Sequence, residues 1–175
     1  MAFSLYDVTV PGYIQMLNAT RGLIGKAEAF CAEKNMPEAD LLNARLAEDM
    51  LPLSWQIKWV STHSIGAIEG VRQGAFSPDR SPPAETLAAF RTQIDASLAA
   101  LEAVTPDELE SYIGKDVLFT AGELRMDFTA ENFLLSFSQP NLYFHAATAY
   151  DILRHLGLQI GKRDFMGRPR IKMPA

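Results

Sequence analysis

KDVLFTAGELRMDFT, residues 115–129, changes the period of the chain. Val117 and Phe119 fall on alternate positions before Ala121-Gly122, and Leu124, Met126 and Phe128 on alternate positions after it. Apolar residues at every second position mark a half-buried strand, and glycine supplies the positive φ of a tight turn. The stretch therefore predicts a β-hairpin. On either side of it the apolar residues recur with a longer period, so the hairpin decides between two folds. It is either an insert in a helical protein or the seed of an α+β domain. A lone two-stranded ribbon is too small to carry a core, which selects the helical protein.

Working outward, the flanks read as four long amphipathic helices. In residues 10–34, Val10, Ile14, Leu17, Ile24, Ala27 and Cys31 recur at three- and four-residue steps, with Pro11 suited to a first turn and Asn35 with Pro37 as a stop. A connector over 36–50 holds one helical turn near Asp40. The second helix runs from about Leu51 to Gln73, with Asp49 as cap, Pro52 in its first turn and Gly74 as its end. Its stripe is Leu53, Ile57, Val60, Ala67, Ile68 and Val71. After the proline-rich loop FSPDRSPP, a third helix spans about 83–103 with Leu87, Phe90, Ile94, Leu98 and Leu101 on one face. TPDE at 105–108 matches a capping box and predicts a short turn. The last helix runs from about Thr129 to Leu156, kinked or interrupted at Pro140. The basic tail from about residue 158 is expected to be irregular. The predicted fold is thus all-α: an up-and-down four-helix bundle, one domain over 1–175, with a small β-hairpin between helices 3 and 4.

Composition agrees with an ordinary globular chain. Of 175 residues 48% are hydrophobic and 21% charged, enough to bury a core without disulfide or metal. A net charge of −5 argues against a general nucleic-acid binder. The N-terminus shows no basic and apolar signal pattern, and no apolar run approaches the ~20 residues of a membrane span. With Cys31 as the single cysteine, the expectation is a cytoplasmic protein without a disulfide.

YDVTVPGY, LNARLAEDMLPLSWQI, NLYFHAATAYDILRHLG and GKRDFMG resemble an uncharacterised bacterial family within the DinB-like (YfiT-like) four-helix-bundle superfamily of metalloenzymes, over about Tyr6 to Gly167. That resemblance implies a site. Many superfamily members hold nickel or zinc through three histidines, one on the second helix and two four apart on the last. Residues at i and i+4 share a helix face, so two imidazoles reach one ion and a facing helix supplies the third. The open positions on such an ion activate water or a thiol, and the superfamily includes thiol-dependent transferases.

Carried onto this chain, the two final histidines fall at Asn141 and His145, and the second-helix ligand falls near Gln56. One imidazole with two amides is a weak transition-metal set. His63 lies about two turns beyond Gln56, outside that layer unless the register shifts; it reads as a relocated ligand or as a surface or half-buried residue. His155, ten residues from His145, is turned away by roughly 80° and offset by about 15 Å, so the two cannot share an ion. His145 itself reads either as a retained ligand or general base, or as a core histidine bonded to Gln56 or Asn141.

Two functional readings follow. One is a module without the three-histidine metal site, binding a small molecule at Gln56, Asn141 and His145 or serving a stress-associated role, with no cofactor. The other is a divalent-metal (nickel or zinc) enzyme of the thiol transferase or hydrolase kind, with His145 as ligand and His63 or an acid completing the set. Trp55 and Trp59 lie one turn apart off the main stripe; they face a neighbour, either a partner subunit or the C-terminal tail, or one of them is core, and together with the resemblance this gives the expectation of a homodimer. Glu48 and Asp49 read as first-turn acids, Cys31 as a small core residue, and the basic tail as a solvated strap or an anion contact.

Overall fold

The computed structural model describes residues 3–172. They are mostly helical, with one small three-stranded sheet. Helix α1 spans Leu5–Lys34 and starts earlier than its apolar spacing suggests. Ser4 accepts a hydrogen bond from the Asp7 N–H at 3.0 Å, and the Asp7 carboxylate accepts one from the Ser4 N–H at 3.2 Å. That reciprocal cap fixes the start. Pro11 therefore lies inside the helix rather than in its first turn. Asn35, in the left-handed conformation with φ 51°, ends it.

The predicted turn near Asp40 is α2 (Glu38–Leu42). The predicted second helix divides into α3 (Leu53–Thr62) and α4 (Ile65–Gln73), and Pro52, not Asp49, holds the capping position. The division has a local cause. Ser64 leaves helical geometry, with φ −112° and ψ −92°, and its hydroxyl donates to the Val60 carbonyl at 2.8 Å. Serine hydroxyls offer the backbone this alternative partner and weaken a helix interior. The stripe Leu53, Ile57, Val60, Ala67, Ile68 and Val71 is buried on both sides of the break.

Strand β1 (Ala75–Phe76) follows Gly74 and pairs parallel with β2 (Asp116–Ala121); β2 pairs antiparallel with β3 (Leu124–Thr129). The antiparallel pair matches the period-two stretch, and Gly122 takes a φ of 62° between its strands. The added strand β1 makes the sheet three-stranded. It lies so close to α4 that a Cβ on Gly70 would stand 2.9 Å from the Phe76 Cβ.

Helix α5 (Leu87–Glu102) starts later than expected, because Thr86 caps it and the Glu38 carboxylate accepts from the Leu87 N–H at 2.8 Å. Thr105 caps α6 (Pro106–Glu110). The last stretch stays helical through α7 (Ala130–Asn132), a π-helical segment (Phe133–Ser138) and α8 (Gln139–His155). It neither breaks nor restarts at Pro140. The wide π turn lies immediately before the proline, and the Gln139 N–H donates to the Leu134 carbonyl five residues back. Helix α1 packs on α5 and α8, and α3 packs on α8. Tyr13, Leu17, Ile24, Leu53, Phe90, Ile94 and Leu142 fill the space among them.

The tail is ordered where irregularity was expected. It forms α9 (Lys162–Met166), held to α1 by Lys26–Asp164 at 2.6 Å and by the Gln15 amide donating to the Met166 carbonyl at 2.8 Å. Among the described residues no helix is long and apolar enough to cross a membrane.

Candidate functional site

Gln56, Trp59 and His63 follow one another at steps of three and four along α3, so they share a helix face. That face meets α8 and the π-helical segment, which bring His145 and Ser138 against it. Gln56, His63, Ser138 and His145 are all buried. His63 is the C-terminal cap of α3; its N–H still donates to the Trp59 carbonyl at 2.9 Å, so it keeps the register of Gln56 and Trp59, and the chain leaves that register only at Ser64. The His63 ring stacks on that of His145 at 5.7 Å between centroids and 12° between planes. The reading of His63 as a surface or half-buried residue is overturned, since it is buried against His145. Gln56 bonds His145 from the first turn of α3, and His63, about two turns further along the same face, stacks on its ring.

The hydrogen bonds fix the protons. The Gln56 side-chain N–H donates to the Leu51 carbonyl at 2.8 Å, which turns its carbonyl oxygen toward His145. That oxygen lies 2.7 Å from His145 Nδ1. A carbonyl only accepts, so Nδ1 carries the hydrogen and Nε2 is left with a free lone pair. His145 Nε2 is buried and has no hydrogen-bond partner among the described residues; the same holds for Trp59 Nε1. The two rings meet edge-on, 4.8 Å apart and at 89°. His63 Nδ1 lies 3.2 Å from the Ser138 hydroxyl, itself 3.3 Å from the His63 carbonyl.

Around this polar knot the walls are aromatic. Phe76 and Phe137 lie against His63, and Phe144 against His145 at 5.2 Å. Burial among them pushes His145 down to about 4. Burial, with a smaller contribution from the charge on His145, pushes His63 down to about 3. Both imidazoles are neutral at pH 7.

Of the residues singled out in the sequence, Gln56 and His145 are brought together. Asn141 is not: it is half-buried, and its amide donates to the Phe137 carbonyl at 2.7 Å. His155 is exposed at the end of α8. Trp59 and Ser138 were missed as site residues. The spacing of Gln56, Trp59 and His63 could have shown the first. Nothing in the local sequence marks the second, because its direction depends on the π turn. Trp55 is half-buried away from the pair, with the Lys58 ammonium 5.2 Å above its ring.

The donor set does not fit the nickel or zinc that the resemblance implies. His145 Nε2 offers one free imidazole nitrogen. Gln56 and Asn141 spend their amides on other partners. His63 Nδ1 is engaged by Ser138. Among the described residues no group of three or more His, Cys, Asp or Glu side chains is placed to hold an ion, whereas such ions take three or four nitrogen, sulfur or carboxylate ligands.

A family model described as a domain of unknown function (DUF1993) matches residues 5–166. A crystal structure of a DinB family member protein from Shewanella denitrificans is similar at 32% identity and a TM-score of 0.79, covering 97% of this chain and 96% of that one. No curated protein matches the chain.

Proposed function

The chain belongs to the DUF1993 family, and from that premise we propose that it is a small-molecule binding module of DinB-like architecture, working without the three-histidine metal site. In this reading α1, α3 with α4, α5, and α7 through α8 are the arms of an up-and-down four-helix bundle. The ligand is held at the buried cluster of Gln56, Trp59, His63 and His145. One observation carries it: a buried acceptor, His145 Nε2, and a buried donor, Trp59 Nε1, stand together without partners in the protein. Each such group costs about 1–3 kcal/mol when unpaired, a cost that a ligand able to bond both would recover. Asn141, one turn before His145 on α8, borders the cluster, with its amide nitrogen bonded to the Phe137 carbonyl.

The test is a panel of small metabolites screened by thermal shift on protein purified without a histidine tag. Compounds of this site raise the Tm of the wild type and leave Trp59→Phe unmoved, since phenylalanine keeps an aromatic wall and removes the N–H. A panel in which every active compound stabilises both proteins equally refutes it. The second reading, a nickel- or zinc-dependent enzyme with His145 and His63 as ligands, draws support from the closeness of those two rings. Elemental analysis separates the two: stoichiometric nickel or zinc, lost in His145→Ala, favours the enzyme.

A homodimer belongs to the same proposal. Leu135, Tyr143 and Phe144 are exposed apolar side chains on one continuous helical stretch, and Trp55 is half-buried. Light scattering that gives a monomer mass at micromolar concentration removes it.

A further inference from the structure

We infer that the buried cluster selects an uncharged hydroxyl group, with Trp59 Nε1–H donating to the hydroxyl oxygen and His145 Nε2 accepting its hydrogen. The inference rests on the binding reading above and names the chemistry that reading leaves open. The Gln56 amide, tied down by the Leu51 carbonyl, holds the hydrogen of His145 on Nδ1. His145 therefore presents an acceptor at Nε2, and Trp59 presents a donor; tryptophan has no other role available to its nitrogen. The rings are 4.8 Å apart. The two rings are in edge-on contact, so their unpaired donor and acceptor belong to one cluster, and the single atom able to satisfy both is one that accepts and donates, as a hydroxyl oxygen does.

Charge is selected against. A carboxylate or phosphate would need a cation or several N–H groups, and burying it without them is prohibitive. Lys58, next to Trp59 in sequence, is turned instead to Asp79 at 2.9 Å and to the Ser81 carbonyl at 2.6 Å. An ammonium ion would need a carboxylate, and the side chains in contact here are amides, hydroxyls, imidazoles and aromatic rings. The flanking walls, Phe137 and Phe144, suit the hydrocarbon part of an alcohol. Trp59 is half-buried and Phe144 is 55% exposed, so the outer edge of the cluster borders solvent.

The chain has two tryptophans, so a ¹⁵N-labelled sample gives two indole N–H signals. These are followed at pH 7 during titration with 1-butanol, butyrate and butylammonium. The Trp59 signal is expected to move saturably with 1-butanol while that of Trp55 stays. Butyrate and butylammonium bind at least about tenfold more weakly, the discrimination expected when a buried site meets a charge it cannot pair. His145→Phe abolishes the response to 1-butanol. In the unmodified protein, the ¹⁵N shift of His145 reports an unprotonated Nε2, a check that needs no variant to fold. Butyrate binding as tightly as 1-butanol overturns the hydroxyl selection and leaves the binding module standing. A protonated Nε2 overturns the hydroxyl assignment. A Trp59 signal that none of the three probes moves overturns both.

Discussion

Acidification from pH 7 to pH 5 is expected to weaken this fold through two side chains. His63 and His145 start from an ordinary value of 6.5 and are pushed down to about 3 and about 4 in the folded protein, chiefly by burial. In the unfolded chain both protonate as the pH falls through 6.5; in the folded chain both stay neutral until well below pH 5. The unfolded state therefore binds more protons across this window, and stability falls as pH falls. With those values each histidine withdraws about 2 kcal/mol between pH 7 and pH 5, and the pair about 4 kcal/mol. Against a total stability of about 5–15 kcal/mol for a domain, that is a large change. The rings are 5.7 Å apart, so a second proton would also meet the charge of the first.

Carboxylates do not mimic the effect in this window. Asp79, Glu108, Glu131 and Asp164 are held below their ordinary values by hydrogen bonds and cationic partners. Their contributions are present above those ordinary values and fade only below about pH 4.5. The assay is urea unfolding at pH 7 and pH 5, with m checked for constancy so that a shifted midpoint reads as stability. His145→Gln, which keeps an N–H for the Gln56 oxygen, should lose about half of the pH dependence; adding His63→Gln should lose most of it. A wild-type stability that changes by less than about 1 kcal/mol between the two pH values refutes the buried neutral pair, as does an undiminished slope in the double variant.

Three further outcomes are expected. Gly70→Ala should cost about 1–3 kcal/mol in urea unfolding, because the new Cβ would meet the Phe76 Cβ at 2.9 Å, an atom fixed to the backbone of β1. Gln56→Leu should cost about 1–3 kcal/mol by the same assay, since it leaves the His145 Nδ1–H buried and unpaired. Thr86→Ala should lower stability by about 1 kcal/mol, read as a drop in Tm, through loss of the cap on the Ala89 N–H.

What the sequence reveals and conceals follows from the range of the interactions involved. The buried stripes of α1, α3, α4 and α5 are legible because burial of one helix face repeats every three or four residues, whatever the neighbours are. The pairing of β2 with β3 is legible because alternation and a glycine turn are local signals. Strand β1 is not: two residues carry no period, and Ala75–Phe76 is extended because β2 lies beside it. Helix α9 is likewise held by Lys26 and Gln15, more than a hundred residues away in sequence. The break at Ser64 is hidden because Ala67, Ile68 and Val71 continue the apolar pattern across it.

The same distinction runs through the site. The pairing of Gln56 with His145 can be anticipated from the layer that the DinB-like resemblance implies. The burial of His63 cannot, because what covers it, the Ser138 hydroxyl and the His145 ring, comes from a segment 75 or more residues away in sequence and meets α3 about two turns beyond Gln56. Two departures from regular helix, the break after His63 and the π turn ending at Ser138, face each other across the core and are joined by the bond between those two side chains. At Ser138 a regular helix would turn the side chain by a different angle about the axis. The π turn is therefore what brings Ser138 to His63, which regular α3 already places on the face of Gln56 and Trp59. The two buried nitrogens left without partners, His145 Nε2 and Trp59 Nε1, belong to rings in edge-on contact beside the stacked His63, and the proposed neutral hydrogen-bonding ligand rests on that arrangement.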